Sequence, residues 1–173
     1  MKKYKLEFQY IITPFKKHKE IKQQLLKLIY ECPALPIRGE EEDIYRSDWN
    51  LPWDTKREYI DFFWSYMEAD IRDILKELNH EQYEFGNCWF QQYRKNNEHK
   101  PHQHGQNASY AFVYFVELPQ DGPKTTLIEP YTGKHIEVDV KEGDILVFPG
   151  ITWHYSPKNN SKDIKTIVAF NIN

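Results

Sequence analysis

The stretch that decides the fold runs from Gly143 to His154 and reads Gly-Asp-Ile-Leu-Val-Phe-Pro-Gly-Ile-Thr-Trp-His. Its first residues complete the turn signal Glu142-Gly143, its apolar centre is typical of a short buried strand, and Pro149-Gly150 indicates a corner. A histidine behind such a strand and corner is well placed to join side chains from other strands. His154 is therefore a candidate metal ligand.

The residues around this stretch follow a β pattern. From Glu84 onward, short runs rich in β-branched and aromatic residues alternate with Gly, Pro, Asn and Asp. The predicted strands are Glu84–Tyr93, Ser109–Glu117, Thr125–Ile128, His135–Val140, Asp144–Phe148 and Ile164–Asn171.

The preceding residues predict helices. An apolar face predicts a first helix over Lys17–Tyr30, after a short strand at Lys5–Ile12, and Leu35–Asp54 is predicted to be a polar loop. Thr55 and Glu58 have the spacing of a capping box, and an apolar stripe continues from there to Asn79.

This order predicts one α+β domain with antiparallel sheets. Residues 1–81 would form a strand and helical support, and residues 82–173 the core, a double-stranded β-helix of the jelly-roll or cupin-like kind with the helices packed outside. The length of 173 residues suits one domain, and 16% aromatic residues supply material for its core.

The amino-acid composition limits the classes of binding partner that are expected. The net charge of −3, from interspersed acidic and basic residues, gives no footprint for nucleic acid. Two cysteines are too few for a disulfide framework, and no apolar run is long enough to cross a bilayer. We expect a cytoplasmic protein without nucleic-acid or membrane partners.

Two further histidines complete a candidate metal site. In an extended segment, His102 and His104 project to the same face because side chains alternate along a strand, so both can bind one metal. A lone His-x-His is more often a pair of loop histidines, but a strand, corner and histidine downstream favour a site with His154. His135-Ile136-Glu137 and His18-Lys19-Glu20 also match a His-x-Glu pattern, and we interpret both as surface residues. His80 and His99 are also expected to be exposed, although His99 could line the mouth of the pocket.

The C-terminal half resembles a known superfamily. It is similar to the small 2-oxoglutarate- and Fe(II)-dependent oxygenases of the prolyl-hydroxylase-like kind, which include phage-encoded members. The matching stretches are Asn87–Tyr93, His102-Gln-His104, Tyr110–Phe115, Gly143–Pro149, His154 and Lys165–Asn171.

The resemblance implies a metal site and a cosubstrate. These oxygenases hold Fe(II) with a histidine, an acidic residue two positions later and a distal histidine. His102 matches the first and His154 the last, whereas His104 stands where the acidic residue is usual. The resemblance therefore implies a hydroxylase that uses Fe(II) and 2-oxoglutarate, with His102, His104 and His154 as ligands.

The same resemblance implies cosubstrate-binding residues. Lys165 stands where the family places a cation for the distal carboxylate of 2-oxoglutarate, and Tyr93 offers a hydroxyl. An edge position, where Lys165 extends into water, is an alternative, and Trp89 and Tyr93 are also compatible with an aromatic core.

Other functions remain open. Three histidines also suit a cupin-like metal enzyme that does not use 2-oxoglutarate, or the chain could be a non-enzymatic barrel that serves as a binding module. A small molecule or a peptide is the expected substrate, in the host cytoplasm if the protein is phage-encoded. The residues from Glu40 to Asp54, with Trp49 and Trp53, could cover the barrel mouth or be scaffold, and Asn107 and Asn171 are candidates for its rim.

Overall fold

The computed structural model describes residues 1–2, 7–80, 82–105 and 108–173. Within these residues the chain forms two helices and eleven strands. The helices are α1 (His18–Glu31) and α2 (Glu58–Glu77). The strands are β1 (Ile11–Pro14), β2 (Leu35–Arg38), β3 (Glu42–Ser47), β4 (Phe85–Tyr93), β5 (Glu98–His102), β6 (Tyr110–Glu117), β7 (Thr126–Ile128), β8 (His135–Glu137), β9 (Asp144–Pro149), β10 (His154–Ser156) and β11 (Lys165–Ile172).

The strands form one antiparallel sheet in the order β1-β9-β6-β11-β4-β3-β5-β10-β7-β8, with β2 paired to β3. Strand β3 connects two parts of this sheet, because its end pairs with β4 and its start pairs with β5. The sheet curls so that Ile44 of β3 and Leu127 of β7 share one apolar cluster with Phe115 and Ile167. This curled antiparallel sheet with two helices confirms the predicted fold class.

Strand alternation produces two apolar cores. Along β6, Phe112 and Tyr114 face the helices, whereas Val113 and Phe115 face the inside of the curled sheet. Helix α2 buries its apolar stripe on the outer face, where Phe63 lies 5.7 to 5.8 Å, centroid to centroid, from two aromatic rings of the sheet. The helices thus support the sheet from outside and leave its inner face for the site. No helix among the described residues is long and apolar enough to cross a membrane.

The predicted polar loop at Leu35–Asp54 is wrong. The segment contains β2 and β3, and Ile44 is completely buried. Its many charges concealed the strands, because charged side chains such as Arg38 and Asp43 pair with each other across the hairpin.

The capping box at Thr55 and Glu58 is also wrong. Helix α2 begins at Glu58, and Arg57 occupies the cap position without a side-chain cap. Arg57 instead pairs with the buried Asp48, which also accepts hydrogen bonds from the Tyr59 hydroxyl and from the Phe90 amide. Burial is the largest influence on Asp48 and raises the pKa of its carboxyl. This network fixes the start of α2 to the sheet.

Other element bounds differ from those predicted. Strands β5 and β10 were not predicted, because their polar side chains gave no apolar alternation although their backbones pair. The strand expected over His135–Val140 ends at Glu137. The strand expected at Lys5–Ile12 begins only at Ile11 in the described part of the chain, which does not include residues 3–6.

We predict that Gly150→Ala destabilises the protein by about 1 to 3 kcal/mol. A Cβ at this position would lie 2.1 Å from the backbone oxygen of Ala108, so the backbone must move. Urea unfolding monitored by circular dichroism measures the change. Gly39→Ala is the control, because the nearest atom to its added Cβ lies 3.9 Å away. Equal stability of the two variants would contradict the prediction.

Candidate metal centre and cosubstrate pocket

Backbone pairing brings the three predicted histidines together. His102 at the end of β5 lies directly opposite His154 at the start of β10. His104 follows two residues later, and its amide donates to the carbonyl of Gly150 at 3.0 Å. One ligand nitrogen from each histidine lies within 4.8 Å of the other two. A single ion can therefore contact all three.

Backbone carbonyls orient two of the imidazoles. Nδ1 of His102 lies 2.9 Å from the carbonyl oxygen of Lys100, and Nδ1 of His154 lies 2.9 Å from that of Thr152. A carbonyl oxygen only accepts hydrogen bonds, so we assign the proton to Nδ1 in both rings, which leaves Nε2 with a free lone pair. His104 Nε2 lies 3.3 Å from His154 Nε2. These are the orientations that a metal ligand needs.

The environment keeps the three rings neutral. Burial lowers the pKa of His104 to about 4, and it lowers the pKa of His102 and of His154 below the ordinary value as well. Neutral imidazoles bind metals, whereas protonated ones do not. The donor nitrogens are thus available at neutral pH.

Aromatic rings fix the positions of these histidines. His99 stacks on His102 with 3.7 Å between ring centroids, and Phe148 lies 4.6 Å from His154. His99 is not exposed, because only 8% of it is accessible, and it lines the pocket as the alternative prediction held. Its Nε2 lies 3.3 Å from Oε1 of Glu42. The structure thus adds a fourth histidine, not as a ligand but as a wall of the site.

Lys165 lies inside the curled sheet. Its side chain is completely buried, which excludes the alternative of an edge lysine that reaches water. Among the described residues, its ammonium donates a hydrogen bond to Ser156 Oγ at 2.9 Å and has no carboxylate within ion-pairing distance. It lies 5.2 Å from the centre of the Tyr93 ring and 5.7 Å from that of Phe115. Burial lowers the pKa of Lys165 to about 7.

Tyr93 lies opposite Lys165 in the pairing of β4 with β11. Its hydroxyl donates to Oε1 of Gln91 at 2.8 Å, so the oxygen retains its acceptor lone pairs while the proton is engaged. Burial raises the pKa of this phenol above its ordinary value. Tyr93, Gln91, Ser156 and Lys165 line one cavity with the three histidines.

The remaining histidines lie elsewhere. His135 is exposed, as predicted. His18, predicted to lie on the surface, is partly buried and its Nδ1 is 2.8 Å from the Tyr114 hydroxyl. His80 is half-buried rather than exposed and packs against Tyr110. Asn107 lies outside the described residues.

Sequence reasoning missed Ser156, named Glu42 only within the range Glu40–Asp54, and left His99 between an exposed position and the pocket mouth. Ser156 lies two residues after His154, a spacing that places both on one face of a strand, so recognition of β10 would have found it. His99 and Glu42 pair across β5 and β3, which were not predicted.

Comparisons with known proteins agree with this geometry. The family model described as "Phytanoyl-CoA dioxygenase (PhyH)" matches residues 93–167. A solved oxidoreductase of the 2OG-Fe(II) oxygenase family from Burkholderia pseudomallei superposes with a TM-score of 0.75 at 13% identity, over 95% of this chain and 85% of that one. The chain therefore shares the fold of a 2OG-Fe(II) oxygenase, and residues 93–167 are similar to the dioxygenase family model.

Two prolyl hydroxylases share the fold. The prolyl-4-hydroxylase of Pseudomonas putida has a TM-score of 0.68 at 15% identity, covering 95% of this chain and 92% of that chain. The viral collagen prolyl hydroxylase of Paramecium bursaria Chlorella virus-1 has a TM-score of 0.63 at 15% identity, covering 94% of both chains. A comparison with curated protein sequences gives no match.

The residues present fit a divalent metal of the kind that these oxygenases use. Imidazole nitrogens bind Fe(II), and three of them converge here with lone pairs directed toward one another. The site departs from the usual pattern at His104, where the superfamily has a carboxylate. Three neutral ligands leave the charge of a bound metal uncompensated, so this pocket favours an anion beside the metal.

Proposed function

We propose that this protein is a 2-oxoglutarate-dependent dioxygenase of the hydroxylase type. His102, His104 and His154 would hold Fe(II), and Lys165 would bind the distal carboxylate of 2-oxoglutarate with Tyr93 beside it. The observation that carries the proposal is the buried ammonium of Lys165, which shares one cavity with the three histidines and has no anionic partner among the described residues.

A buried ammonium without a counter-charge is costly, which supports a ligand that supplies one. Removing a charged group from water costs several kcal/mol unless an opposite charge and hydrogen bonds compensate it. Here Ser156 offers one hydrogen bond, and the two nearby rings offer a cation–π contribution of about 1 kcal/mol each. A dicarboxylate with one end at the metal and the other at Lys165 would supply the missing charge.

Each group of the pocket has a distinct task in this proposal. The carbonyls of Lys100 and Thr152 hold two imidazoles in the metal-binding tautomer, and Lys165 orients the cosubstrate. Ile167 and Ala169 line the cavity between them and exclude water. Fe(II) with 2-oxoglutarate supplies the activation of oxygen for hydroxylation, and the protein supplies geometry and a dry environment.

His104 makes the binding of metal and cosubstrate interdependent. With a carboxylate in its place, the metal would already have one negative charge beside it. With three neutral imidazoles, the attraction between the divalent metal and the dianionic 2-oxoglutarate is not reduced by a protein carboxylate. Each of the two would therefore raise the affinity of the protein for the other.

A cupin-like enzyme that does not use 2-oxoglutarate is the second candidate. The set of three histidines favours it, but such an enzyme gives no reason to bury Lys165 in the metal cavity. A binding module without catalysis would require neither three convergent histidines nor a lysine buried beside them.

The structures that share this fold suggest which classes of substrate the protein could bind. The similar structures include a prolyl hydroxylase from Trichoplax adhaerens in complex with a peptide fragment, and the protein HygX from Streptomyces hygroscopicus with nickel, 2-oxoglutarate and hygromycin B bound. We infer that this chain also acts on a peptide or a small molecule, and a cytoplasmic location stays a prediction.

The decisive test is an anaerobic Fe(II) titration with and without 2-oxoglutarate. We expect a weak visible charge-transfer band, because the cosubstrate would chelate the metal through its 2-oxo and 1-carboxylate groups. Lys165→Ala should lose the band at limiting 2-oxoglutarate while it retains iron. Lys162→Ala, which removes an exposed lysine, is the matched control and should keep the band.

The absence of the band in iron-loaded wild-type protein would contradict the oxygenase assignment. A band that survives in Lys165→Ala at the same 2-oxoglutarate concentration would contradict the role of Lys165 alone.

We also predict that 2-oxoglutarate binding takes up protons at pH 8. Burial lowers the pKa of Lys165 to about 7, so most of its amine is neutral at pH 8 in the free protein. A bound carboxylate raises that pKa, so up to about one proton enters with each 2-oxoglutarate, and the uptake declines toward pH 6, where the amine is already protonated. Calorimetry of the Mn(II)-loaded protein in buffers of different ionisation enthalpy measures this uptake. Lys165→Met should remove it, whereas uptake that persists in this variant would assign the proton to another group.

A further inference from the structure

A groove of about 880 Å³ opens beside the three histidines. One side is formed by Glu42 at the start of β3 and by Trp49, which lies two residues after the end of β3. The other side is formed by Asn87 near the start of β4 and Asn171 near the end of β11. His102 and His104 lie in its wall, so a molecule in the groove would lie next to the metal centre.

The charge of this groove is negative. Glu42 is the one carboxylate side chain among its described lining residues, and those residues include no lysine and no arginine. Burial raises the pKa of the Glu42 carboxyl, and a positively charged group beside it would stabilise the ionised form. Nε2 of His99 lies 3.3 Å from Oε1 of Glu42, and the His99 ring stacks on His102, so the carboxylate lies beside the metal centre.

Two further features indicate a ligand. Asn171 is only 7% exposed, and its side-chain carbonyl oxygen has no hydrogen-bond partner within the described ranges. An unsatisfied buried acceptor costs about 1 to 3 kcal/mol, which a donor on a ligand would recover. Trp49 is 45% exposed and packs edge to face on Trp89, with 4.5 Å between ring centroids. Its remaining surface offers an apolar and cation-attracting wall.

We propose that this groove binds the substrate through a positively charged amine or guanidinium group. Glu42 pairs with the charge, Trp49 packs against the chain that carries it, and Asn171 accepts a hydrogen bond from an N–H group. The inference rests on the proposed function in one respect, namely that the molecule bound here is the one oxidised at the metal.

The alternatives fit the groove less well. An anionic substrate would face Glu42 without a basic residue to compensate it. A neutral apolar substrate would desolvate Glu42 and leave the Asn171 side-chain oxygen without a donor, and burial of such polar groups is unfavourable. A cationic group with N–H donors would pair with the Glu42 carboxylate and donate a hydrogen bond to the Asn171 side-chain oxygen.

Binding of matched probes to the metal-free protein tests the proposal independently of catalysis. The first pair is Nα-acetyl-L-arginine amide and its neutral isostere Nα-acetyl-L-citrulline amide. The second pair is Nα-acetyl-L-lysine amide and its Nε-acetylated derivative. Calorimetry should show about tenfold tighter binding of the cationic member in at least one pair, the combined effect expected of a half-buried ion pair and an aromatic contact.

Two variants separate the role of Glu42 from general charge effects. Glu42→Gln should reduce the preference for the cationic probe to about twofold or less. An unfolding midpoint equal to that of the wild-type protein verifies that the fold is intact. Glu41→Gln removes an exposed neighbouring carboxylate and should keep the preference.

Equal binding of both members in each pair would overturn the proposal. A preference that survives in Glu42→Gln, or disappears equally in Glu41→Gln, would also overturn it. A preference that depends on Glu42, in a protein whose iron form gives no band with 2-oxoglutarate, would support the cationic ligand and contradict the oxygenase assignment instead.

Discussion

The site depends on the antiparallel pairing of β5 with β10. Both strands are short and polar, yet their pairing places His102 directly opposite His154. The corner at Gly150 completes the arrangement, since its carbonyl accepts the amide of His104 and its own amide donates to Ser109. The close approach of Ala108 leaves no room for a side chain at this corner. Backbone geometry, rather than the histidine side chains, therefore determines that three imidazoles meet.

The second constraint is the buried charge of Lys165. Strand β11 is completely covered on both faces, and a lysine in such a strand loses its hydration without gaining a carboxylate from the described chain. The free energy that this burial costs can be recovered only by a bound anion or by loss of the proton. A pocket with a metal at one end and an ammonium at the other is therefore complementary to a dicarboxylate.

The histidine at position 104, where an acidic residue is usual, increases the attraction of the metal site for an anion. A metal held by three neutral ligands attracts anions more strongly than one that already has a carboxylate. In the proposed function, the cosubstrate itself would compensate for the missing acid. Glu42 does not replace that acid, because the described cluster of possible metal ligands contains His102, His104 and His154 and not Glu42.

Much of the fold and of the candidate site could be predicted from the sequence. The short runs of β-branched and aromatic residues in β6, β9 and β11 predicted the main sheet. The spacing of His102 and His104, with the corner before His154, predicted the cluster. The segment around Glu42 could not be assigned to strands, because backbone pairing stabilises β2 and β3 while charged side chains interrupt their apolar pattern. The burial of His99 depends on that same pairing, and no local pattern encodes it.

X-ray absorption of the anaerobic Fe(II) protein tests the central claim most directly. The imidazole multiple-scattering signal should correspond to three histidines in the wild-type protein and to two in His104→Ala, and addition of 2-oxoglutarate should add oxygen ligands without displacing an imidazole. A signal from two or fewer histidines in the wild-type protein, unchanged in His104→Ala, would contradict the account.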